Sequence, residues 1–366
     1  MIFSPVPRNS SIDHIRIVLT TLVILHHTAI VYGGSGGWYW RQETDGSNPL
    51  LLLFNAVNQS FFMGFFFLLA GYYTPQSFDR KGARRFLADR FLRLGLPLVV
   101  YFFILSPMTI ALARTSGGHP FWSGWWLMAR RGKFEPGPLW FAESLLIFAL
   151  AYAAWRACRP GRFAEISHIP GPATLALAAV AVGLASFLIR LAVPTGKLIL
   201  WLQLGYFPPY VLLFVFGCKA ARNQVLERVT LANAKPWAVV SVAMLVLLPI
   251  VIATRGGHGA FNGGWSWNAV IYALWDPLIA WGIILTLLWS FRTYWAGENR
   301  LTVWLARRAY GAYIVHPPVV VALSLCAREW ATPPLVKFAV VGLAACAGSF
   351  VTASGVLLIP GTRRIV

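Results

Sequence analysis

"RIVLTTLVILHHTAIVYG", Arg16 to Gly33, decides the fold class of this chain. Its apolar run is long enough to cross a hydrocarbon core, which takes about 20 residues of helix. Yet the run opens with Arg16 and carries His26 and His27 near its middle. A charge at mid-bilayer costs about 2.5–3.5 kcal/mol on insertion scales, so such groups face a cavity or a partner rather than lipid. Residues advance about 100° each along an α-helix. Eleven steps separate Arg16 from His27, which returns them to within about 20° of one face, about 16 Å apart along the axis. Asp13, three residues before Arg16, joins the same stripe and can pair with it. His26 points about 100° away from His27 and is expected to pack against a neighbour.

The rest of the chain agrees with a membrane reading. Its 366 residues are 58% hydrophobic and 12% charged, and mean hydropathy is +0.64. A soluble domain carries about twice that charge. The net charge of +19 does not mark a nucleic-acid binder, because the basic residues sit in short connections between apolar runs. Four scattered cysteines without CxxC spacing exclude a zinc motif or disulfide framework, and no HExxH-type spacing supports a metal site. No Walker-type loop is present. The first apolar run lacks a clear cleavage site and is expected to be retained.

Ten apolar stretches are predicted to span the membrane: 12–33, 49–73, 92–113, 138–157, 172–193, 203–221, 236–254, 268–291, 303–326 and 334–360. The expected fold is therefore all-α, a polytopic bundle of about ten helices in a single domain, 1–366. Lys and Arg test the alternation. The two termini and the connections after the second, fourth, sixth and eighth stretches hold 21 of the 31. By the positive-inside rule that side is the cytoplasm, with both termini there. Three aromatic segments, "GGWYW" (36–40), "FWSGWW" (121–126) and "GGWSW" (263–267), then face outside. They read as interfacial anchors or as a platform for a sugar ring.

Other polar groups lie in apolar runs: Glu143 in "GPLWFAESLLIF", Arg190, Asp276 in "ALWDPLIAW" and His316 in "RRAYGAYIVHPPVVVAL". Each reads either as a helix-packing hydrogen bond or as a proton-handling group. "RRFLADRFLRLGLPL" (84–98) places Arg90 and Arg93 one turn apart at an expected cytoplasmic mouth. Arginine forks suit phosphate oxygens, and the same residues also suit anionic lipid.

Together these segments resemble acyltransferase family 3, in particular its branch of bacterial glucan-succinylating enzymes. The resemblance covers nearly the whole chain. It rests on Arg16 and His27 separated by ten residues, on the RxxR pair Arg90 and Arg93, and on the blocks "LWFAESLLIF", "YFPPYVLLFVFGCKAAR" and "AYGAYIVHPPVVV". "FFFLLAGYYT" departs from the family's "SGF" segment, with Ala70 and Tyr72 replacing Ser and Phe. The resemblance implies a bacterial inner-membrane O-acyltransferase. It would move an acetyl, succinyl or similar group from cytoplasmic acyl-CoA, a co-substrate rather than a bound cofactor, to a hydroxyl of a carbohydrate or other envelope acceptor. Under this reading His27, Glu143 and His316 are catalytic, with His27 as base or acyl carrier. Arg16, Arg90, Arg93, Asp13, Asp276 and Trp140 bind donor or substrate, with Asp276 also able to orient the histidine. The rival is a proton-coupled secondary transporter, which uses the same intramembrane residue types. The acyl group, the acceptor and the oligomeric state are not written in the sequence.

Overall fold

The computed structural model describes residues 9–42, 46–159, 164–255 and 261–365. Among them every regular element is a helix, and an isolated bridge joins Ile199 and Leu202 in one of the connections. The α-helices are α1 (Ser10–Val31), α2 (Pro49–Arg90), α3 (Leu96–Val100), α4 (Ser106–Arg114), α5 (Phe121–Arg130), α6 (Trp140–Cys158), α7 (Pro172–Ala192), α8 (Phe207–Ala220), α9 (Leu231–Arg255), α10 (Trp267–Tyr294), α11 (Arg300–Ala306), α12 (Ala309–Cys326) and α13 (Pro334–Val356).

Eight helical stretches among the described residues are long and apolar enough to cross a membrane, and α8 with the turn before it is shorter. The difference from ten has a physical origin. The second and third expected spans lie in one helical run, Pro49–Gly117, of 69 residues. At about 1.5 Å per residue such a run would be about 100 Å long if straight, against a hydrocarbon core of about 30 Å. Gly82 breaks it with φ +70, a left-handed value that glycine adopts without a Cβ penalty. Two π-helical turns, Phe91–Gly95 and Tyr101–Leu105, interrupt it further.

The chain forms two compact units. The first comprises residues 1–15, 59–87 and 149–298. Here α10 packs on α9 and α7. Glycines set the close approaches: a Cβ on Gly282 would lie 2.1 Å from the Trp237 carbonyl, one on Gly71 2.1 Å from the Phe214 carbonyl, and one on Gly217 2.3 Å from the Leu68 carbonyl. In lipid there is no hydrophobic drive between helices, so contacts of this kind carry the association.

The second unit comprises residues 16–58, 88–148 and 299–366 and holds α12 against α13 and α4. Its core joins Ile24, Leu51, Val320, Val341 and Ala345. α1 ends where Gly33 takes φ +113 and the Gly34 amide bonds the Ala29 carbonyl at 2.8 Å. A Cβ on Gly34 would lie 1.9 Å from Asn55 Oδ1, so this glycine lets the chain pass under α2. Asn48 then caps α2, accepting from the amides of Leu50 and Leu51. The loop between them returns "GGWYW" toward α1.

Candidate active site

α1 is unbroken from Ser10 to Val31, so the eleven-residue spacing of Arg16 and His27 holds as helix geometry. His27 keeps partial exposure, whereas His26 and His316 are buried. The partner of His27 is His316 on α12: His27 Nδ1 lies 2.9 Å from His316 Nε2. The two ring planes differ by 13° with centroids 5.0 Å apart, so the rings meet edge to edge in nearly one plane.

The helix backbone of α12 explains this pair. In an α-helix the Tyr313 carbonyl would accept from the amide of residue 317, but Pro317 has no N–H. His316 Nδ1 takes that place, 2.6 Å from the Tyr313 carbonyl. A carbonyl only accepts, so His316 Nδ1 carries its proton and, in the neutral ring, Nε2 presents a lone pair. His27 must then donate from Nδ1. The carbonyl of Val23, four residues back, is a second acceptor beside the His27 ring. The network thus assigns His27 Nε2 as its basic nitrogen.

Trp38, from "GGWYW", lies parallel to both imidazoles, with centroids 4.1 Å from His27 and 6.0 Å from His316 and interplanar angles of 15°. It roofs the pair. Its echo in "GGWSW" differs: Trp265 and Trp267 are 83% and 75% exposed, with Trp265 stacked on Phe187. The near-repeat therefore serves two environments, one partly buried against a histidine and one on the surface.

Next to Trp38, Tyr39 Oη meets the buried Tyr101 Oη at 2.9 Å. Gly137, at φ +47, makes room for them, since a Cβ there would lie 2.1 Å from Tyr39 Oη. Tyr313 Oη donates to the Pro138 carbonyl. Burial raises the Glu135 carboxyl above the usual range, and the Tyr39 hydroxyl is raised by burial first and then by the charge of Glu135. Tyr39, Tyr101 and Tyr313 are absent from the sequence-based site, although "GGWYW" was a signal for Tyr39 and Trp38.

The remaining expected residues divide. Glu143, in the first turn of α6, has Oε2 buried with no hydrogen-bond partner among the described residues. Trp140 opens α6 and sits edge to face on Phe141. Arg90 ends α2, and Arg93 is exposed in the π-helical turn that follows. Asp13 and Arg16 lie on the first two turns of α1, partly exposed. His26 gives its carbonyl to Asn55 Nδ2 at 3.0 Å and meets His27 edge to face.

Asp276 belongs to the other unit, where it faces an arginine rather than a histidine. Arg190 Nη2 donates to Asp276 Oδ2 at 2.7 Å, and Arg190 Nε to the Gly205 carbonyl at 3.1 Å. The guanidinium lies over Tyr206 and Tyr272. Both members of the pair are buried, at 1% and 5% exposure. A buried carboxylate needs a charged partner, and Arg190 is that partner. The structure thus places Asp276 against Arg190, and His316 against His27.

A family model described as an acyltransferase domain, that of acyltransferase family 3, matches residues 9–354. No curated protein and no solved structure matches the chain. A match over nearly the whole length, on a chain with several helices apolar enough to cross a bilayer, identifies a multi-pass membrane acyltransferase, and the chain belongs to acyltransferase family 3.

Proposed function

We propose that the protein transfers an acyl group from cytoplasmic acyl-CoA to a hydroxyl of a carbohydrate or other cell-envelope acceptor, with His27 as general base. The observation that carries this reading is the chain from His27 Nδ1 to His316 Nε2 and from His316 Nδ1 to the Tyr313 carbonyl, which leaves His27 Nε2 with the lone pair. An acceptor hydroxyl is a weak nucleophile until a base takes its proton. In the proposed step His27 Nε2 takes that proton while the oxygen attacks the thioester carbonyl. The C–O bond forms, the C–S bond breaks, and the departing sulfur takes the proton back from His27. The imidazolium formed in between keeps its Nδ1–H on the neutral His316 ring, which stabilises it without a buried anion.

Arg16, Arg90 and Arg93 supply guanidinium groups for the phosphates of the donor, Glu143 is catalytic with His27 and His316, and Asp13 and Trp140 bind substrate in this reading. Both termini and the Arg90–Arg93 mouth lie in the cytoplasm of a bacterial inner membrane, as the Lys and Arg distribution favours.

The test is His27→Ala at normal expression, with envelope glycans scored for acylation by mass spectrometry and CoA release measured in parallel. Loss of both supports the proposal. Retained acylation refutes the role of His27, and transport in proteoliposomes without CoA release favours a carrier.

A further inference from the structure

The backbone device that orients His316 occurs a second time, at the RxxR segment. Pro97 lies four residues after Arg93, so the Arg93 carbonyl has no amide to accept from in the α-helical pattern. The backbone widens there into the π-helical turn Phe91–Gly95. Turns of this kind gather at functional sites. Tyr310 Oη, from the first turn of α12, donates to this same carbonyl at 2.7 Å. Tyr310 stacks on Tyr313 with centroids 6.2 Å apart and planes 18° from parallel, and Tyr313 lies 5.9 Å from His316. One helix, α12, therefore holds both the backbone of Arg93 and the partner of His27.

We infer that Tyr310 is a positioning residue for the donor: its hydroxyl fixes the backbone of Arg93 and so aims that guanidinium at a phosphate of the coenzyme A moiety. The inference rests on the donor role of Arg93 proposed above. Arg93 itself is exposed, on a long side chain with many rotamers. A fixed Cα narrows where its fork can reach, which lowers the ordering cost of binding. Tyr310 acts through Arg93 and touches no substrate atom, so its effect belongs in donor affinity rather than in turnover.

The experiment measures coenzyme A binding by calorimetry, and kcat and KM for acetyl-CoA and succinyl-CoA, on the detergent-purified full chain. Tyr310→Phe keeps the ring and its stack but removes the donor. It is expected to weaken coenzyme A binding and raise KM about threefold to tenfold, the worth of one hydrogen bond, with kcat within about twofold. Pro97→Ala restores an amide at position 97, so in that background Tyr310→Phe is expected to have little further effect. A purely structural role for Tyr310 would give equal losses in both backgrounds, and that result overturns the inference. So does unchanged binding in Tyr310→Phe when Arg93→Ala weakens it. If Arg93→Ala leaves coenzyme A binding unchanged, the donor reading of Arg93 fails first, and the inference falls with it.

Discussion

His316 Nδ1 stands 2.6 Å from the carbonyl of Tyr313, in the place that the missing amide of Pro317 leaves open. A proline in the middle of a membrane helix frees a carbonyl that lipid cannot satisfy, and the helix must find another donor for it. Here the donor is an imidazole, and the bond fixes which of its nitrogens carries the proton.

Pro317→Ala is expected to separate stability from activity. The restored amide competes with His316 for the Tyr313 carbonyl, and removing an interior proline relieves about 3 kcal/mol of helix strain. The variant should melt no lower than the parent in detergent, while kcat falls. His316→Ala removes the partner outright and should lower kcat by about 10²–10⁴-fold, the scale on which tautomer-fixing partners and general bases act. Steady-state kinetics beside thermal unfolding measures both. An undiminished kcat in His316→Ala would remove His316 from the site.

Trp38 makes a different prediction. Its indole lies 4.1 Å from the His27 ring and spans toward His316, so it holds both imidazoles in one plane. Aromatic pairs contribute about 0.5–1.5 kcal/mol beyond their area. Trp38→Phe should keep most of the function, because a smaller ring still stacks. Trp38→Ala should lower the melting temperature and cut kcat by up to about a hundredfold, as misplacement of a reacting group does. Equal activity in the two variants would mean that the roof does not position His27.

Parts of this arrangement were legible in the sequence and parts were not. The stripe of Arg16 and His27 follows from helix periodicity within one segment, and α1 carries it unbroken. The pairing of His27 with His316 spans 289 residues, a separation that no local pattern encodes. Pro317 four residues after Tyr313 was a readable sign that a carbonyl needed a donor, though not which donor. The role of Trp38 depends on how the loop after Gly33 folds back, and the similar "GGWSW" segment folds differently. The second and third apolar stretches form one helical run because a pattern of residues does not show where a helix continues through a polar segment, as it does across Pro49–Gly117, and the sixth stretch holds only a shorter helix, Leu204–Ala220.

Glu135 gives a pH dependence. Burial raises its carboxyl above the usual carboxylate range, so the folded chain holds that proton more tightly than the unfolded chain does. The stability it contributes is present below the unfolded pKa and is lost as pH rises through the raised folded value. Glu135→Gln removes that loss. The melting temperatures of parent and variant should agree near pH 4, and the variant should be the more stable at pH 8. A difference of the opposite sign at pH 8 would show that the Glu135 anion has a stabilising partner.

The buried pair of Arg190 and Asp276 separates structural from chemical use of an intramembrane charge. The two are joined by one 2.7 Å bond, while Arg190 Nη1 and Asp276 Oδ1 are buried without hydrogen-bond partners among the described residues. Two charges taken out of water cost several kcal/mol each, and a pair with unused bonding capacity recovers only part of it. Asp276→Asn or Arg190→Met alone leaves its partner uncompensated and should cost about 3–5 kcal/mol, read as reduced membrane yield and a lower melting temperature. The double replacement Arg190→Met with Asp276→Leu removes both charges and both unsatisfied atoms. It should recover most of the stability lost in the singles, and it should acylate at a rate close to the parent if the pair only holds α7 to α10. A double variant that is stable yet inactive would return Asp276 to the chemistry, as the sequence reading first had it, and would mark the Arg190 pair as part of the reaction rather than of the scaffold.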